Sequence, residues 1–246
     1  MAVLATGIIG GTGLNEFQQG EALYTPATPY GELASPIIAS QVAGKSVAFL
    51  ARHGKPHTIP PDKINYRANI WALHAAGVRK IIAVNAVGGI RADLTAGSIV
   101  IPDQLIDYSY GRQQSFYDGS SEQLEHIDFT FPFSPALSQQ LAVAAASCGQ
   151  SLVQGAVYGV TQGPRLETAA EINRLARDGC DIVGMTAMPE AALARELGIE
   201  YASLALVVNP AAGRGDSLIS MEDIHRVVDE GMGRVRAILA AAIASI

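Results

Sequence analysis

Short apolar runs alternate with amphipathic helical patterns along most of the chain. This alternation is typical of an α/β fold with a parallel or mixed sheet. The apolar runs predict strands at residues 3–9, 46–50, 80–85, 98–101, 155–161, 181–185 and 200–208. We therefore predict an α/β fold: a single domain over residues 1–246 with a mixed, largely parallel central sheet flanked by helices.

Helix starts are predicted where a capping residue precedes an amphipathic stretch. Three such starts are Asp62 before a helix that Gly77 ends, Thr168 with Glu171 in a capping-box pattern, and Ser220 with Asp223 before the last helix. Residues 107–135 differ from the rest of the chain in being aromatic, polar and proline-containing. A long irregular segment of this kind is usually functional or part of an interface.

Composition narrows the class of protein. Apolar residues make up 49% of the 246 residues and charged residues 16%, so a large core is expected. The net charge of −6 argues against nucleic acid and anionic membranes as partners, since both need a basic surface. The two cysteines do not suggest a disulfide scaffold, and the apolar start resembles a strand more than a signal peptide. No apolar run approaches the roughly 20 residues of a membrane span. A cytoplasmic protein is therefore expected.

Candidate chemistry lies where the apolar runs end. Glycines 10, 11 and 13 surround Thr12 after the first strand, a turn that suits a phosphate but is also compatible with a tight turn and nothing more. Arg52 and His53 follow the next strand, and the guanidinium matches an oxyanion, although a surface ion pair is the alternative for Arg52. His57 is either an ordinary surface histidine or a residue near the site.

Further polar groups follow other predicted strands. Ala86 lies in a glycine-rich strand end, Thr186 follows Met185, and Asn209 closes the run at 200–208, while Glu167 lies in a loop. Ligands of α/β proteins bind at such strand ends. The histidines and cysteines lack metal-ligand spacing and no nucleophile motif is present, so we predict a metal-free site that works by positioning and electrostatics.

The chain resembles the trimeric family of purine nucleoside phosphorylases and methylthioadenosine phosphorylases over nearly its whole length. The resemblance is carried by the turn at 9–13 and by ARHG at 51–54 with His57, NYRANIW at 65–71, QSFYDG at 114–119, QGPRLET at 162–168 and GMTAMPE at 184–190. It implies phosphate-dependent cleavage of an N-glycosidic bond, with phosphate as co-substrate, no cofactor, and a homotrimer or a dimer of trimers as the assembly.

The resemblance also implies roles for individual residues. Phosphate would be held by Thr12, Arg52, His53, the backbone of Ala86 and Thr186. The base would contact Leu166, Glu167 and Asn209, and the ribose with its 5′ group would contact Met185, His57, Met221, Ile224 and, from a neighbouring subunit, His126. Asn209 and His53 are the predicted catalytic residues, Asn209 because it would donate to the departing purine as negative charge develops there.

Two departures within the family bear on the substrate. Methylthioadenosine enzymes carry aspartate where this chain has Asn209 and a small hydroxyl residue where it has Glu167. A carboxylate accepts from the N1–H of a 6-oxopurine, and an amide can donate to O6 or N7, so a 6-oxopurine is expected. Met221 and Ile224 lie where the methylthio enzymes place apolar residues, although a helix core stripe explains them equally simply.

A 6-oxopurine base and an apolar 5′ group together predict 5′-methylthioinosine as the substrate. Inosine or guanosine is the alternative, followed by methylthioadenosine. Two readings from other classes also stay open: a nucleoside hydrolase, which would use water in place of phosphate, and a nucleoside-binding protein without turnover.

Overall fold

The computed structural model describes residues 4–11, 13–14, 17, 20–23, 27–119 and 124–246. Within them the strands are β1 Thr6–Gly10, β2 Glu21–Ala22, β3 Ile38–Val42, β4 Lys45–Ala51, β5 Lys80–Gly89, β6 Ile99–Ile101, β7 Gln104–Asp107, β8 Val153–Gln154, β9 Val157–Val160, β10 Ile182–Gly184 and β11 Glu200–Pro210. The helices are α1 Tyr66–Ala75, α2 Pro135–Ser147, α3 Ala169–Arg177, α4 Ala187–Glu196 and α5 Met221–Ser245. No helix in these ranges is long and apolar enough to cross a membrane.

All eleven described strands belong to one sheet. Its main path runs β2-β3-β4-β1-β5-β10-β9-β7. Off this path β11 pairs with β5 and β6, and β6 pairs with β8. Parallel pairs are β1 with β4, β1 with β5, β5 with β11, β9 with β10, β7 with β9 and β6 with β8. The other pairs are antiparallel. The predicted mixed, largely parallel sheet is confirmed.

Strand β5 changes partner along one of its edges. It pairs with β1 as far as Ala83, and with β10 from Gly88, while its other edge pairs with β11 along its length. The stretch between these two partners faces the space where β1 and β10 diverge. Ligands of open α/β sheets bind at such a switch in strand order.

The sheet is covered on both faces. One apolar cluster joins it to α1 and α4, through residues such as Ile70 and Leu193, and a second joins it to α2 and α5, through residues such as Leu141 and Ile238. Strand β11 alternates between them, since Ala205 and Val207 belong to the first cluster and Leu204 and Leu206 to the second. Burial on both faces explains why this strand is a continuous apolar run.

Two of the three predicted helix starts are confirmed. Thr168 and Glu171 form the reciprocal capping box of α3, and Ser220 accepts from the N–H of Asp223 at the start of α5. Asp62 as a cap is wrong: it lies in a 3₁₀ turn, Pro61–Lys63, and Asn65 caps α1 by accepting from the N–H of Ala68. Ile64, which follows the 3₁₀ turn, has an extended backbone, so α1 begins only after Asn65 and its cap lies three residues beyond Asp62.

The segment between β7 and α2 has no helix or strand in its described part. Its residue Phe133 is buried against Tyr201, with ring centroids 6.1 Å apart, whereas Tyr110, Leu124 and Phe131 are exposed. Part of the predicted aromatic segment therefore belongs to the core, and the rest presents apolar side chains to the surroundings of this single chain.

Candidate active site

A cavity of about 470 Å³ lies where β1 and β10 diverge from β5. Its walls include Gly11 after β1, Arg52 after β4, Gly184 at the end of β10 and Asn209 near the end of β11. Its volume falls within the range usual for small-molecule sites, about 300–1,000 Å³. This is the position expected from the sheet order.

The cavity brings together most of the predicted site residues. Those that line it are Arg52, His53, His57, Ala86, Leu166, Glu167, Met185, Thr186, Asn209, Met221 and Ile224. Thr12 lies outside the described residues, although its neighbour Gly11 lines the cavity. His126 is exposed and is absent from the described lining of its own chain's cavity.

Arg52 is buried at the cavity wall, with 1% of its surface exposed. Its Nη2 lies 3.0 Å from Oε2 of Glu190, Nε donates to Oε1, and Nη1 donates to the carbonyl of Val84 at 3.3 Å. Burial by itself lowers the pKa of Arg52, but the charge and hydrogen bonds of Glu190 outweigh it and raise the pKa. The ion pair considered for Arg52 thus exists, but it is buried. Since an arginine has five N–H groups, N–H groups remain for an anion.

Glu190 is a site residue that the sequence analysis missed. It is 1% exposed, and its Oε2 also accepts from the hydroxyl of Tyr201 at 2.9 Å. It holds the guanidinium of Arg52 in one orientation from the first turns of α4. A signal was available, because a carboxylate inside an otherwise apolar helix start is buried only with a cationic partner.

His53 is held in one tautomer. Its Nδ1 lies 2.9 Å from the carbonyl oxygen of Ile59, which can only accept, so Nδ1 carries the proton and Nε2 of the neutral ring is an acceptor. Burial, and next the charge of Arg52, lower the pKa of His53 to about 4. The ring stacks on His57 at a centroid distance of 4.2 Å. A Cβ on Gly11 would lie 3.4 Å from Cδ2 and 4.0 Å from Nε2, so the ring edge that carries the free nitrogen lies beside the glycine turn.

Thr186 is oriented by a buried chain of hydrogen bonds. Ser203 Oγ donates to Oδ1 of Asn85 at 2.9 Å, and Nδ2 of Asn85 donates to Oγ1 of Thr186 at 2.9 Å. Thr186 therefore accepts from Asn85, and its own hydroxyl hydrogen is available to the neighbouring hydroxyl of Tyr158 or to a ligand in the cavity. Beside it Ala86 is exposed, while its neighbours in β5 are buried. This wall can bind an oxyanion through a hydroxyl and backbone groups.

The loop at residues 161–168, between β9 and α3, presents a carboxylate, and we call it the base loop because the base is predicted to contact it. Oε1 of Glu167 accepts from Oγ1 of Thr161 at 2.5 Å, which ties the loop to the end of β9. A carboxylate has about four lone-pair sites, so acceptor capacity remains for a ligand. Leu166, next to it, is 43% exposed and forms an apolar side of the same cavity.

Asn209 reaches the cavity through an irregularity of the sheet. The pairing of β11 with β5 shifts between Val207 and Asn209, as in a β-bulge. A bulge changes the direction in which the following side chain points. The amide of Asn209 donates to the carbonyl of Pro210 at 2.6 Å and has a second N–H.

Part of the cavity lining is apolar and comes from α5 and the residues just before it. Met221, Ile224 and Met232 line it together with Ile219. Ile224 also packs against the core between the sheet and α5, as the core-stripe alternative expects. Met221 is 60% exposed, so it is no core residue. Within the described residues, no three His, Cys, Asp or Glu side chains form a group that could hold a metal ion.

Comparisons with known proteins agree with this geometry. The family model of the phosphorylase superfamily matches residues 5–244, and the chain belongs to this superfamily. A protein of Pseudomonas syringae pv. tomato named a probable S-methyl-5′-thioinosine phosphorylase is 52% identical over 97% of this chain and 98% of its own. The 6-oxopurine nucleoside phosphorylase of Pyrococcus furiosus is 45% identical over 95% of this chain and 90% of its own.

The fold is shared with a solved structure. Methylthioadenosine phosphorylase from Schistosoma mansoni, in complex with adenine, superposes with a TM-score of 0.90 at 31% identity and covers 98% of this chain and 91% of that one. The predicted family resemblance is therefore confirmed at the levels of both sequence and fold.

Proposed function

We propose that this chain catalyses the phosphorolysis of S-methyl-5′-thioinosine to hypoxanthine and 5-methylthioribose 1-phosphate. The bond between C1′ and N9 breaks, a phosphate oxygen bonds to C1′, and the bonding electrons leave with the purine. The purine then takes up one proton, which balances the proton that hydrogen phosphate loses. The observation that carries the proposal is the set of groups that line one cavity. They comprise donors for an oxyanion, an acceptor for a base, and apolar side chains of α5 that we assign to a 5′ substituent and call the apolar end.

Arg52, Thr186 and His53 form the oxyanion end. The guanidinium and the threonine hydroxyl donate, whereas Nε2 of His53 accepts. A neutral acceptor matches the remaining proton of hydrogen phosphate. Because Glu190 neutralises much of the charge of Arg52, the phosphate keeps its own negative charge available to stabilise the cationic sugar that develops as the glycosidic bond lengthens.

Glu167 and Asn209 select the base. A carboxylate accepts the N1–H of hypoxanthine, whereas the N1 of adenine is itself an acceptor. Asn209 donates to O6 or N7, and this bond strengthens as the purine takes up charge. Leu166 packs beside the ring, and Met185 lies against the ribose.

Met221 and Ile224 accommodate the 5′ end. A thioether methyl gains from apolar contact, whereas a 5′-hydroxyl needs a polar partner. The 52% identical relative, named a probable S-methyl-5′-thioinosine phosphorylase, supports the same substrate.

A homotrimer in the cytoplasm completes the proposal. We place His126 of a neighbouring copy, together with His57, near the 5′ end of the substrate, and we expect no cofactor besides the phosphate co-substrate. The exposure of Met221 in the single chain supports a covering neighbour. Sedimentation analysis tests the assembly: a monomer that is fully active would contradict it.

A second candidate is the phosphorolysis of inosine or guanosine. The 45% identical relative named a 6-oxopurine nucleoside phosphorylase favours it, and the base-binding end of the cavity suits it equally. The two candidates differ only at the apolar end.

The test of the reaction is to incubate the protein with methylthioinosine, with and without phosphate, and to follow hypoxanthine release and the ³¹P spectrum. We expect release only with phosphate, together with a new sugar-phosphate resonance. Release without phosphate would make the protein a hydrolase, and binding without release would make it a binding protein.

A further inference from the structure

Arg112, in the irregular segment after β7, has an unusual set of partners. Its Nη1 donates to the carbonyls of Met185 and Met188 at 2.7 and 2.6 Å and to the hydroxyl of Tyr66 at 3.3 Å. Nη2 donates to the carbonyls of Thr161 and Gln162 at 3.1 and 2.7 Å, and Nε to Oε1 of Gln162 at 3.2 Å. All these acceptors are carbonyl, amide or hydroxyl oxygens. Among the residues that the structure describes, the arginine is used as a multiple donor and not as half of an ion pair.

The acceptors belong to three separate segments, and each segment contributes at least one residue to a wall of the cavity. Met185 and Met188 flank Thr186, the hydroxyl of the oxyanion end. Thr161 and Gln162 begin the base loop, and Thr161 itself holds Glu167. The third wall is the 3₁₀ turn at Pro61–Lys63, whose Pro61 carbonyl accepts from the hydroxyl of Tyr66 at 2.8 Å.

We propose that Arg112 is a positioning residue for phosphorolysis: it fixes the oxyanion end of the cavity and the base loop relative to each other. Phosphorolysis needs the phosphate and the base on opposite sides of C1′ at a defined separation. A misplacement of about 1 Å can lower a rate on the order of 100-fold. The six acceptor atoms outnumber the five N–H groups, so two acceptors of Nη1 share one hydrogen. A lysine, with three donors on one atom, could serve at most half of the six.

The inference rests on the proposed function and predicts a particular kinetic pattern. In Arg112→Lys each wall keeps its own ligand groups, so hypoxanthine alone and phosphate alone should bind with Kd values within about 3-fold of wild type. Their alignment is lost, so kcat should fall on the order of 100-fold. A purely structural role would instead lower the melting temperature and the active fraction, with kcat per binding-competent site unchanged.

The experiment measures kcat, both KM values and the hypoxanthine binding stoichiometry for wild type, Arg112→Lys and the control Arg91→Lys. Arg91 is also held by several bonds, but to Asp93 and Asp181 outside the cavity, at 2.7 and 3.3 Å. It should leave kcat unchanged. Tyr66→Phe is the milder variant if Arg112→Lys fails to fold. It keeps the ring beneath the guanidinium and removes one acceptor, for an expected fall in kcat of about 3- to 10-fold.

The outcomes separate the two proposals. Wild-type protein that cleaves no purine nucleoside with phosphate would overturn the proposed function. Active wild type with unchanged kcat per competent site in Arg112→Lys, or in Tyr66→Phe where the first variant does not fold, would overturn only the role of Arg112. A lower kcat with binding of both single ligands retained supports it.

Discussion

Glu167→Gln is the substitution that most directly separates the base-selecting contact from its support. The two side chains have the same shape. In the wild type, Oε1 of Glu167 accepts from the hydroxyl of Thr161 at 2.5 Å, and the glutamine oxygen can keep that bond. The NH₂ group of the glutamine then replaces the oxygen that we assign to N1–H. A donor faces a donor, so hypoxanthine loses one hydrogen bond while the loop stays in place.

The magnitude follows from leaving a buried polar group without a partner, about 1–3 kcal/mol. This corresponds to a fall of about 5- to 150-fold in kcat/KM for methylthioinosine. For methylthioadenosine, whose N1 accepts, the same change introduces a donor where one is needed. The ratio of the two kcat/KM values should therefore move toward the 6-aminopurine by more than the fall for methylthioinosine alone.

The assay compares kcat/KM for both nucleosides in saturating phosphate, with Glu171→Gln as the matched control. Glu171 lies four residues further on, where it binds Arg165 and caps α3, so its loss should affect stability and leave the ratio unchanged. If Glu167→Gln leaves the ratio at its wild-type value, Glu167 does not contact N1 and the reasoning on the base is refuted.

Three further predictions concern the other parts of the cavity. Asn209→Asp should lower kcat/KM for 6-oxopurine nucleosides about 10- to 100-fold relative to 6-aminopurines, since a carboxylate cannot donate to O6 or N7 and would face the carbonyl of Pro210; an unchanged ratio would remove Asn209 from base selection. Met221→Ala should lower kcat/KM for methylthioinosine about 10-fold and leave kcat/KM for inosine unchanged. The control is Leu218→Ala, since Leu218 is 95% exposed. Equal losses for both nucleosides would contradict an apolar 5′ site. Burial, followed by the neighbouring guanidinium, lowers the pKa of His53 to about 4 from 6.5, so the unfolded chain binds more protons between these values. The free energy of unfolding should therefore fall as the pH is lowered through this window, and denaturant titrations should show a weaker fall in His53→Asn.

The sequence predicted the central elements of the fold but not its edges. Long apolar strands such as β5 and β11 carry a signal that is independent of their neighbours, since both of their faces are buried. The short strands β2, β7 and β8 have few apolar residues and form because a partner strand lies beside them. The capping box of α3 involves only residues close in sequence, so it could be predicted from the sequence. The choice of Asn65 over Asp62 as the cap of α1 depends on where the preceding 3₁₀ turn ends.

For the site, residue types at strand ends predicted which side chains would share a cavity, but not how they are held. The pair of Arg52 with Glu190 joins residues 138 positions apart, and the shift of register that precedes Asn209 depends on the pairing of two whole strands. Arg112 gave no sequence signal beyond its place in an irregular segment, because four of its six acceptors are backbone carbonyls, which every residue has.

The measurement that tests the central claim most directly is kcat/KM in saturating phosphate for methylthioinosine, inosine and methylthioadenosine, with one enzyme preparation. The account predicts that methylthioinosine exceeds each of the others by about tenfold or more, since each competitor lacks one matched contact, at the apolar end or at the base. A preference for methylthioadenosine would contradict the roles of Glu167 and Asn209. Equal values for inosine and methylthioinosine would contradict the role of Met221 and Ile224.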